Sequence, residues 1–531
     1  MGSLGRARPR HPLAAHAAVW RSAGRGGGKE GEEEAMRAKF QIPNSKLQRS
    51  SKFQASMAWR VNRFADLKFG AWTLGILWSL GFGIWSLSAS ASAPTKPNLI
   101  LYLADDHGVD FVGCYGNAAV RTPNIDRLAT QGTRFTRVFA ASPTCAPSRA
   151  ALYSGLYPAR NGLMGNHTAC RPDVRTLPHY LQPLGYRVVL ANKSHMKPES
   201  VFPVEVLDAT LPRNPANQRR YRAEGLDPAK VDAFLAAHRR EHPTQPLCLI
   251  LADSGPHVVW EQNKIYDPAK LPLPPIMVDT PKTRTALANY YQDITSVDGR
   301  VGEVMASLDR HGFAANSLFL YTSDQGPEWP HCKWTCYDTG LRVPFLARWP
   351  GVLKPGTTSD AMVSFVDVLP TFIELAGGPA PADLDGKSFR RALVGEVKSH
   401  REFVFASHTR DGQMNVFPQR AVRDTRYKFI LNLNPENQWT THFTKVMGIP
   451  DSHGDVYSTW TAAAQTNAAA AKLVQTIERH PREEFYDTQA DPFELHNLIA
   501  DPAHRDRIAT LREKLAAWMK QQGDAGTPER N

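Results

Sequence analysis

The chain predicts an α/β fold: a large, mostly parallel sheet sandwiched by helices, followed by a smaller C-terminal α+β subdomain. Three observations predict it. Four short runs, Asn98–Ala104, Tyr186–Ala191, Leu247–Ala252 and Ser317–Thr322, are almost continuously apolar and of strand length, as strands covered on both faces must be. Longer amphipathic stretches separate them, the alternation expected of a parallel sheet with helical crossovers. From about residue 400 the texture changes to shorter strand-like runs and two helical stretches.

Length and charge bound the function. At 531 residues the chain exceeds one simple core. Its 42% hydrophobic and 21% charged residues are ordinary for a globular protein. The net charge of +12 is concentrated at one end: residues 1–93 hold 14 Lys/Arg against 5 Asp/Glu, and the remainder hold 49 against 46. The body is nearly neutral and its basic residues are scattered, which excludes the concentrated stripe of a nucleic-acid surface.

Residues 1–56, rich in Arg, Gly, Ala and Glu, show no core-forming pattern and read as a disordered or spurious extension. Met57 opens a coherent segment. Arg60, Arg63 and Lys68 form a basic region, Gly70–Leu87 is apolar apart from Thr73, Ser79 and Ser86, and Ala89–Ala93 carries two overlapping A-x-A sites. That order, over 57–93, is a secretory signal peptide. The chain is therefore expected to start at Met57, to be exported (periplasmic or secreted), and to meet a membrane only through that peptide. A membrane anchor is the alternative, disfavoured by the small-residue tail. A catalytic unit over 94–399 and a C-terminal unit over 400–531 complete the expected organisation.

In chain order, the helices between the strands are expected at Asn124–Gly132, after Pro147, at Val231–Arg240 and at Thr285–His311. In the C-terminal unit, Glu402–Ser407, Arg420–Asn432 and Glu484–Thr488 read as strands and Thr459–Glu478 and Asp506–Gln521 as helices. The Asn432–Asp455 stretch reads as irregular. Each of the four apolar runs ends in chemically capable residues: Asp105, Asp106 and His107; Asn192, Lys193 and His195; Asp253 and His257; Asp324 and Gln325. Ligands of open α/β sheets bind beyond the carboxyl ends of the strands, so these residues are expected to meet in one site. His408 and Arg410, which follow a further apolar run, are expected to line a substrate pocket.

The sharpest motif is Cys145-Ala-Pro-Ser-Arg149-Ala-Ala-Leu-Tyr-Ser-Gly155. Pro147 suits a first helical turn and Gly155 a helix end. Cys145 then sits at a helix N-terminus, which favours an anion, and Arg149 offers a forked donor to a tetrahedral oxyanion. Taken alone, Cys145 also reads as a buried structural cysteine. The paired carboxylates Asp105 and Asp106, with Asp324, suit a hard cation. Of six cysteines, five remain if Cys145 is chemically committed, so at least one is unpaired. Cys332 and Cys336 are close enough in sequence to be neighbours, but pairing is not set by spacing.

These residues carry a resemblance. C-x-P-S-R-x-x-L-x-[ST]-G, followed by Leu156-Tyr157-Pro158, resembles the signature of the sulfatase family. Asn98–Asp106, Thr122–Ala129, Thr322–Gly326, Asp367–Thr371 and the closing Phe485-Tyr486-Asp487 are similar to other blocks of it. The downstream part, from Val404–Arg410 through Arg420–Asn434, is most similar to the sulfamidase (heparan N-sulfatase) branch. The resemblance implies an alkaline-phosphatase-like fold. It implies a sulfatase hydrolysing a sulfate ester or sulfamate on a sulfated sugar or glycosaminoglycan fragment. Cys145 would be converted to formylglycine by a separate maturation enzyme, and one divalent metal, calcium from its hard oxygen ligands, would be held by Asp105, Asp106, residue 145, Asp324 and Gln325. Gln325 stands where the family more often has Asn or His. Arg149, Lys193, His195, His257 and Lys333 would be catalytic. A phosphoester or phosphonate hydrolase on the same scaffold, and a non-catalytic secreted carbohydrate-binding protein with unmodified Cys145, remain as alternatives.

Overall fold

The computed structural model describes residues 96–208, 225–379, 381–448 and 452–526. The expected extension and signal peptide lie outside them. Strands follow in the order β1 (Asn98–Ala104), β2 (Thr133–Phe135), β3 (Val138–Phe139), β4 (Arg187–Asn192), β5 (Glu205–Leu207), β6 (Leu247–Ala252), β7 (Ser317–Ser323), β8 (Phe345–Arg348), β9 (Thr357–Ser359), β10 (Val363–Ser364), β11 (Val404–His408), β12 (Gln419–Arg423), β13 (Tyr427–Asn432) and β14 (Glu483–Asp487).

The main sheet has eight strands in the order β5-β4-β6-β1-β7-β8-β2-β9. The five from β5 to β7 run parallel, and β8 is antiparallel to both neighbours. Every residue of β1, β6 and β7 is buried, which is why these strands read as unbroken apolar runs rather than alternating ones. Alternate residues still divide between two cores. Leu99, Leu101, Leu190, Ile250 and Leu320 face Ala146, Ala150 and Leu152 of the helix Cys145–Ser154. Ile100, Tyr102, Leu249 and Tyr321 face Val231 and Leu235 of the helix Pro228–Glu241 and Val297, Val301 and Val304 of the helix Pro281–Arg310. The expected mostly parallel sheet sandwiched by helices is what the chain builds.

β11 to β14 form a separate antiparallel sheet in sequential order. The helix Arg505–Gln522 covers one face, with Leu511, Leu515 and Trp518 packing on Val422, Phe429 and Phe485. Two boundaries differ from expectation. The run Arg420–Asn432 is a hairpin, not one strand: Asp424 Oδ1 accepts hydrogen bonds from Arg426 N and Tyr427 N at 2.6 and 2.7 Å, closing a tight turn between β12 and β13. The expected helix Thr459–Glu478 is two helices, His453–Ala463 and Ala468–Glu478, and Asn467 caps the second by accepting from Ala469 N and Ala470 N. These helices pack Trp460 and Ile477 with Tyr290, Tyr291 and Trp329. All six cysteines are free, Cys332 and Cys336 included. Among the described residues no helix is long and apolar enough to cross a membrane.

Candidate active site

β4, β6, β1 and β7 are consecutive neighbours in the sheet and parallel, so their carboxyl ends share one edge. Lys193 follows β4, His257 lies beyond β6, Asp105 and Asp106 follow β1, and Asp324 and Gln325 follow β7. The loops are tied to each other by backbone: Asp105 N donates to Gly255 O and Asp324 N to Ala104 O, each at 3.0 Å. Asp106 adopts a left-handed backbone, φ 67°, held where its N–H meets Asp324 Oδ1 at 3.2 Å and its carbonyl accepts from Tyr290 Oη at 2.8 Å.

Oxygens of Asp105, Asp106 and Asp324 lie within 4.8 Å of one another, and all three side chains are fully buried. Three such charges repel in a dry site. Burial pushes the Asp106 carboxyl well above its usual range, with Lys333 opposing and Asp105 adding to the rise. Burial and Asp105 raise Asp324 to about 6 against the pull of Arg149. Burial also acts against ionised Asp105, but Lys193, His257 and Arg149 outweigh it and hold this carboxyl well below the usual range.

Cys145 opens a helix of ten buried residues. Gly155 ends it at φ 67°, its N–H on Ala151 O, a conformation that suits glycine. The free N–H of Ala146 donates to Asn166 Oδ1 at 3.1 Å. Cys145 Sγ lies 3.5 Å from Asp105 Oδ1 and accepts from Gln325 Nε2 at 3.2 Å. Gln325 Nε2 also donates to Asp106 Oδ1, while its Oε1 is buried without a partner. Burial drives the Cys145 thiol pKa well above its usual value, more than Lys193 and Lys333 lower it. The sulfur is therefore a neutral thiol, a poor nucleophile as it stands.

Cations ring this centre. One turn along the helix, Arg149 Nε donates to Asp324 Oδ2 at 2.9 Å and Nη1 to Lys193 O at 3.2 Å. Its Nη2 makes no hydrogen bond, with Asp105 Oδ2 at 3.8 Å. Lys193 pairs with Asp105. Lys333 has three protons and three partners: Asp106 Oδ2 and Glu328 Oε2, each at 2.8 Å, and His257 Nε2 at 3.2 Å. His257 Nδ1 meets Val258 O at 2.6 Å, which makes Nε2 the acceptor. Burial and Lys333 lower the His257 pKa to about 4 despite Glu328. His453 Nε2 lies 2.6 Å from the other oxygen of Glu328.

A cavity of about 860 Å³ opens over these groups, lined by Cys145, Lys193, His195, His257 and Lys333 together with Asn166, His167, Glu328, Trp334, Asp411, His442, Met447 and His453. Seven of the expected residues thus face each other directly or through hydrogen bonds: Asp105, Asp106, Cys145, Arg149, Lys193, Asp324 and Gln325. His195, His257 and Lys333 join them on the cavity wall. The expectation for His408 is corrected. It is fully buried in β11 with Nε2 on Asn415 O at 3.1 Å, and it does not line the cavity. Arg410 does not line it either; its neighbour Asp411 does. Glu328, Asp411, His442 and His453 escaped the sequence reading, because each reaches the cavity only through tertiary packing. The one available signal was Glu328, an acid three residues after Gln325 and five before Lys333.

The comparisons agree with this geometry. Residues 97–378 match the family described as Sulfatase, and residues 329–445 match N-sulphoglucosamine sulphohydrolase, C-terminal. An ulvan-active sulfatase of Formosa agariphila is 35% identical over 443 residues, covering 82% of this chain and 83% of that protein. The N-sulphoglucosamine sulphohydrolase of Homo sapiens is 27% identical, covering 80% and 89%. A solved structure in complex with its substrate D-glucosamine-2-N,6-O-disulfate superposes with a TM-score of 0.62 at 19% identity, covering 82% of this chain and all of that one. The phosphonate monoester hydrolase of Agrobacterium radiobacter gives 0.60 at 20%, covering 80% and 96%; at such identities the likeness is one of fold. The chain belongs to the sulfatase family and is a hydrolase of that class. Within the family it is sulfamidase-like.

Proposed function

We propose that the chain is an exported sulfatase removing sulfate from a sulfated sugar, with formylglycine at position 145 and one divalent cation beside it. One observation carries the reading: Cys145 Sγ, at the amino end of a buried helix, stands 3.5 Å from Asp105 in a pocket of three carboxylates and three cations. The donors fit a hard cation. Asp105, Asp106 and Asp324 offer oxygens within 4.8 Å of one another, and turning the Gln325 amide over would bring its unpartnered Oε1 to their side. Such an all-oxygen set favours calcium. The position also fits formylglycine, since the unmodified thiol is held neutral.

Formylglycine, once hydrated, would supply one hydroxyl to attack sulfur and a second whose loss of a proton would expel sulfate, and a cation held by Asp105, Asp106 and Asp324 would lower the pKa of the first. The chain's own residues do the rest. Asp324 orients the nucleophile's helix through Arg149 and accepts the attacking proton. Arg149 Nη2, Lys193 and Lys333 face the sulfuryl oxygens, whose charge grows in the transition state. Lys333 gives a proton to the leaving oxygen or nitrogen, and His257, whose Nε2 accepts from that ammonium, holds it in place. His195 takes the proton from the second hydroxyl.

For the substrate we propose a sulfated glycosaminoglycan unit, N-sulfoglucosamine first, supported by the match over 329–445. The ulvan-active relative supports an O-sulfated polysaccharide as the competing choice. The decisive experiment is peptide mass spectrometry over Thr136–Arg149 of protein made with the maturation enzyme, followed by sulfate release from both substrate types. A formylglycine mass with turnover supports the reading. Unmodified cysteine without turnover rejects it.

A further inference from the structure

Three side chains on the cavity wall form a chain, two of which, Asp411 and His167, the mechanism above leaves unused. Asp411 Oδ1 lies 3.4 Å from His167 Nε2, His167 Nδ1 lies 3.0 Å from His195 Nε2, and His195 Nδ1 is buried without a partner. The backbone holds this arrangement at some strain: His167 and His195 both adopt left-handed conformations, φ 64° and 57°, of the kind retained where function needs them. Asn166 N donates to Arg410 O at 2.9 Å and Asn166 bridges to Asp411, so the segments carrying His167 and Asp411 are fixed side by side. The second oxygen of Asp411 accepts from Trp334 Nε1 at 2.8 Å and faces His442 Nδ1 at 3.9 Å.

Donor and acceptor roles follow from one end. A carboxylate only accepts, so Asp411 places the His167 proton on Nε2. His167 Nδ1 then accepts, and His195 donates from Nε2. That leaves His195 Nδ1 as a bare lone pair. Asn166 Nδ2, at 3.3 Å from His167 Nε2, would favour the opposite order. The 3.4 Å Asp411 contact is electrostatic rather than a hydrogen bond, but the full charge of a carboxylate outweighs the dipole of a neutral amide, so Asp411 decides. His195 is also held neutral, because burial, Lys193, Arg149 and His167 push its pKa down to about 2; a bound sulfuryl anion acts on it in the opposite direction.

We propose that His167 and Asp411 are positioning residues that lock His195 in the tautomer with Nδ1 bare, so that it accepts the proton whose loss expels sulfate. The O–H electron pair becomes the carbonyl π bond, and the breaking C–O bond leaves its pair on sulfate. This inference rests on the formylglycine reading. A tautomer lock of this kind sets the speed of the second half of turnover, not of sulfur attack.

Two measurements test it. The first needs no modified residue: ring 15N shifts of histidine-labelled Cys145→Ala protein, with His195 assigned by its own substitution. We expect the Nε2–H tautomer, and its loss in the His167→Ala background. The second uses matured enzyme and 4-nitrophenyl sulfate. His167 is exposed, so His167→Ala is expected to fold. It should release the first equivalent of 4-nitrophenol at the wild-type rate, with kcat then about 10- to 100-fold lower and KM little changed. His167→Asn, whose Oδ1 replaces the accepting Nδ1, should recover most of kcat, and Asp411→Asn should fall between them. An Nδ1–H tautomer in the His167-containing protein, a loss without a burst, or an Asn variant as slow as Ala would each overturn the proposal. Wild-type protein that carries unmodified cysteine and turns nothing over would overturn the formylglycine reading instead, leaving the 15N result to judge the lock.

Discussion

Arg149 Nε lies 2.9 Å from Asp324 Oδ2 with both side chains fully buried, so the helix that opens at Cys145 is fastened to the end of β7. Lysine would keep the charge but not the fork that reaches Asp324 and the Lys193 carbonyl together. Losing one or two charge-assisted hydrogen bonds of about 1.5–3 kcal/mol each predicts a fall in kcat/KM of about 10- to 10,000-fold for Arg149→Lys. Initial rates of sulfate release, with a thermal melt to confirm folding, check it. A variant within a few-fold of wild type would show that charge alone suffices.

Position 145 gives a sharper test. Cys145→Ala should fold and turn nothing over. Cys145→Ser supplies a hydroxyl but no second one, so it has no route to expel sulfate. We expect at most one equivalent of desulfated product and a protein heavier by one sulfuryl group, read by intact mass. Sustained turnover by either variant would remove position 145 from the chemistry.

Cation binding should be proton-linked. Asp324 is raised from 3.8 to about 6 in the ion-free fold. A raised carboxyl favours the folded state below its unfolded pKa, and that contribution is lost as pH rises through about 6. Calcium requires the ionised form, so its affinity should rise with pH through about 6, by as much as about tenfold per unit for Asp324, with Asp106, also raised, adding to the rise. Calorimetric titrations at pH 5, 6 and 7 read this, and chelation should abolish sulfate release at all three. Equal affinities at pH 5 and 7 would contradict the assignment of Asp324 as a ligand.

Acid should unfold the protein through groups that do not line the cavity. His107, His331 and His408 are buried and held neutral, each pushed by burial to about 4 despite a carbonyl partner that favours the charged form. For a depressed histidine pKa the stability is complete above the unfolded value, 6.5, and is lost as pH falls toward 4. Each costs up to about 1.4 kcal/mol per pH unit in that window. Urea midpoints should therefore drop between pH 7 and 5, and His408→Gln should flatten the slope. A midpoint unchanged over that range would show that these rings find charged partners.

The strands were the most legible part of the sequence. β1 and β6 coincide with the runs read as Asn98–Ala104 and Leu247–Ala252, because burial on both faces leaves no polar interruption to blur their ends. The residues just past those ends were legible for the same reason: a buried strand that stops in Asp-Asp or Asp-Gln marks a sheet edge. β2, β8 and β9 carry only three or four residues each, too few for periodicity to register. The Asn432–Asp455 stretch read as irregular, yet it supplies His442, Met447 and His453 to the cavity, since lining a cavity asks for position and not for a repeating pattern. His408 misled for the converse reason: a histidine after an apolar run marks a ligand or a satisfied core residue, and here the Asn415 carbonyl satisfies it.

The three acceptors around Lys333 have a consequence for traffic through the site. An ammonium with no spare proton greets a newcomer only by releasing Glu328, Asp106 or His257, so chloride, acetate and other weakly charged ions of the surrounding medium gain little by entering. A cation that draws Asp106 away frees one of those protons for a sulfuryl oxygen. When sulfate departs the same three groups reclaim the ammonium. The arrangement makes entry of an oxyanion depend on a partner of Lys333 first being drawn elsewhere.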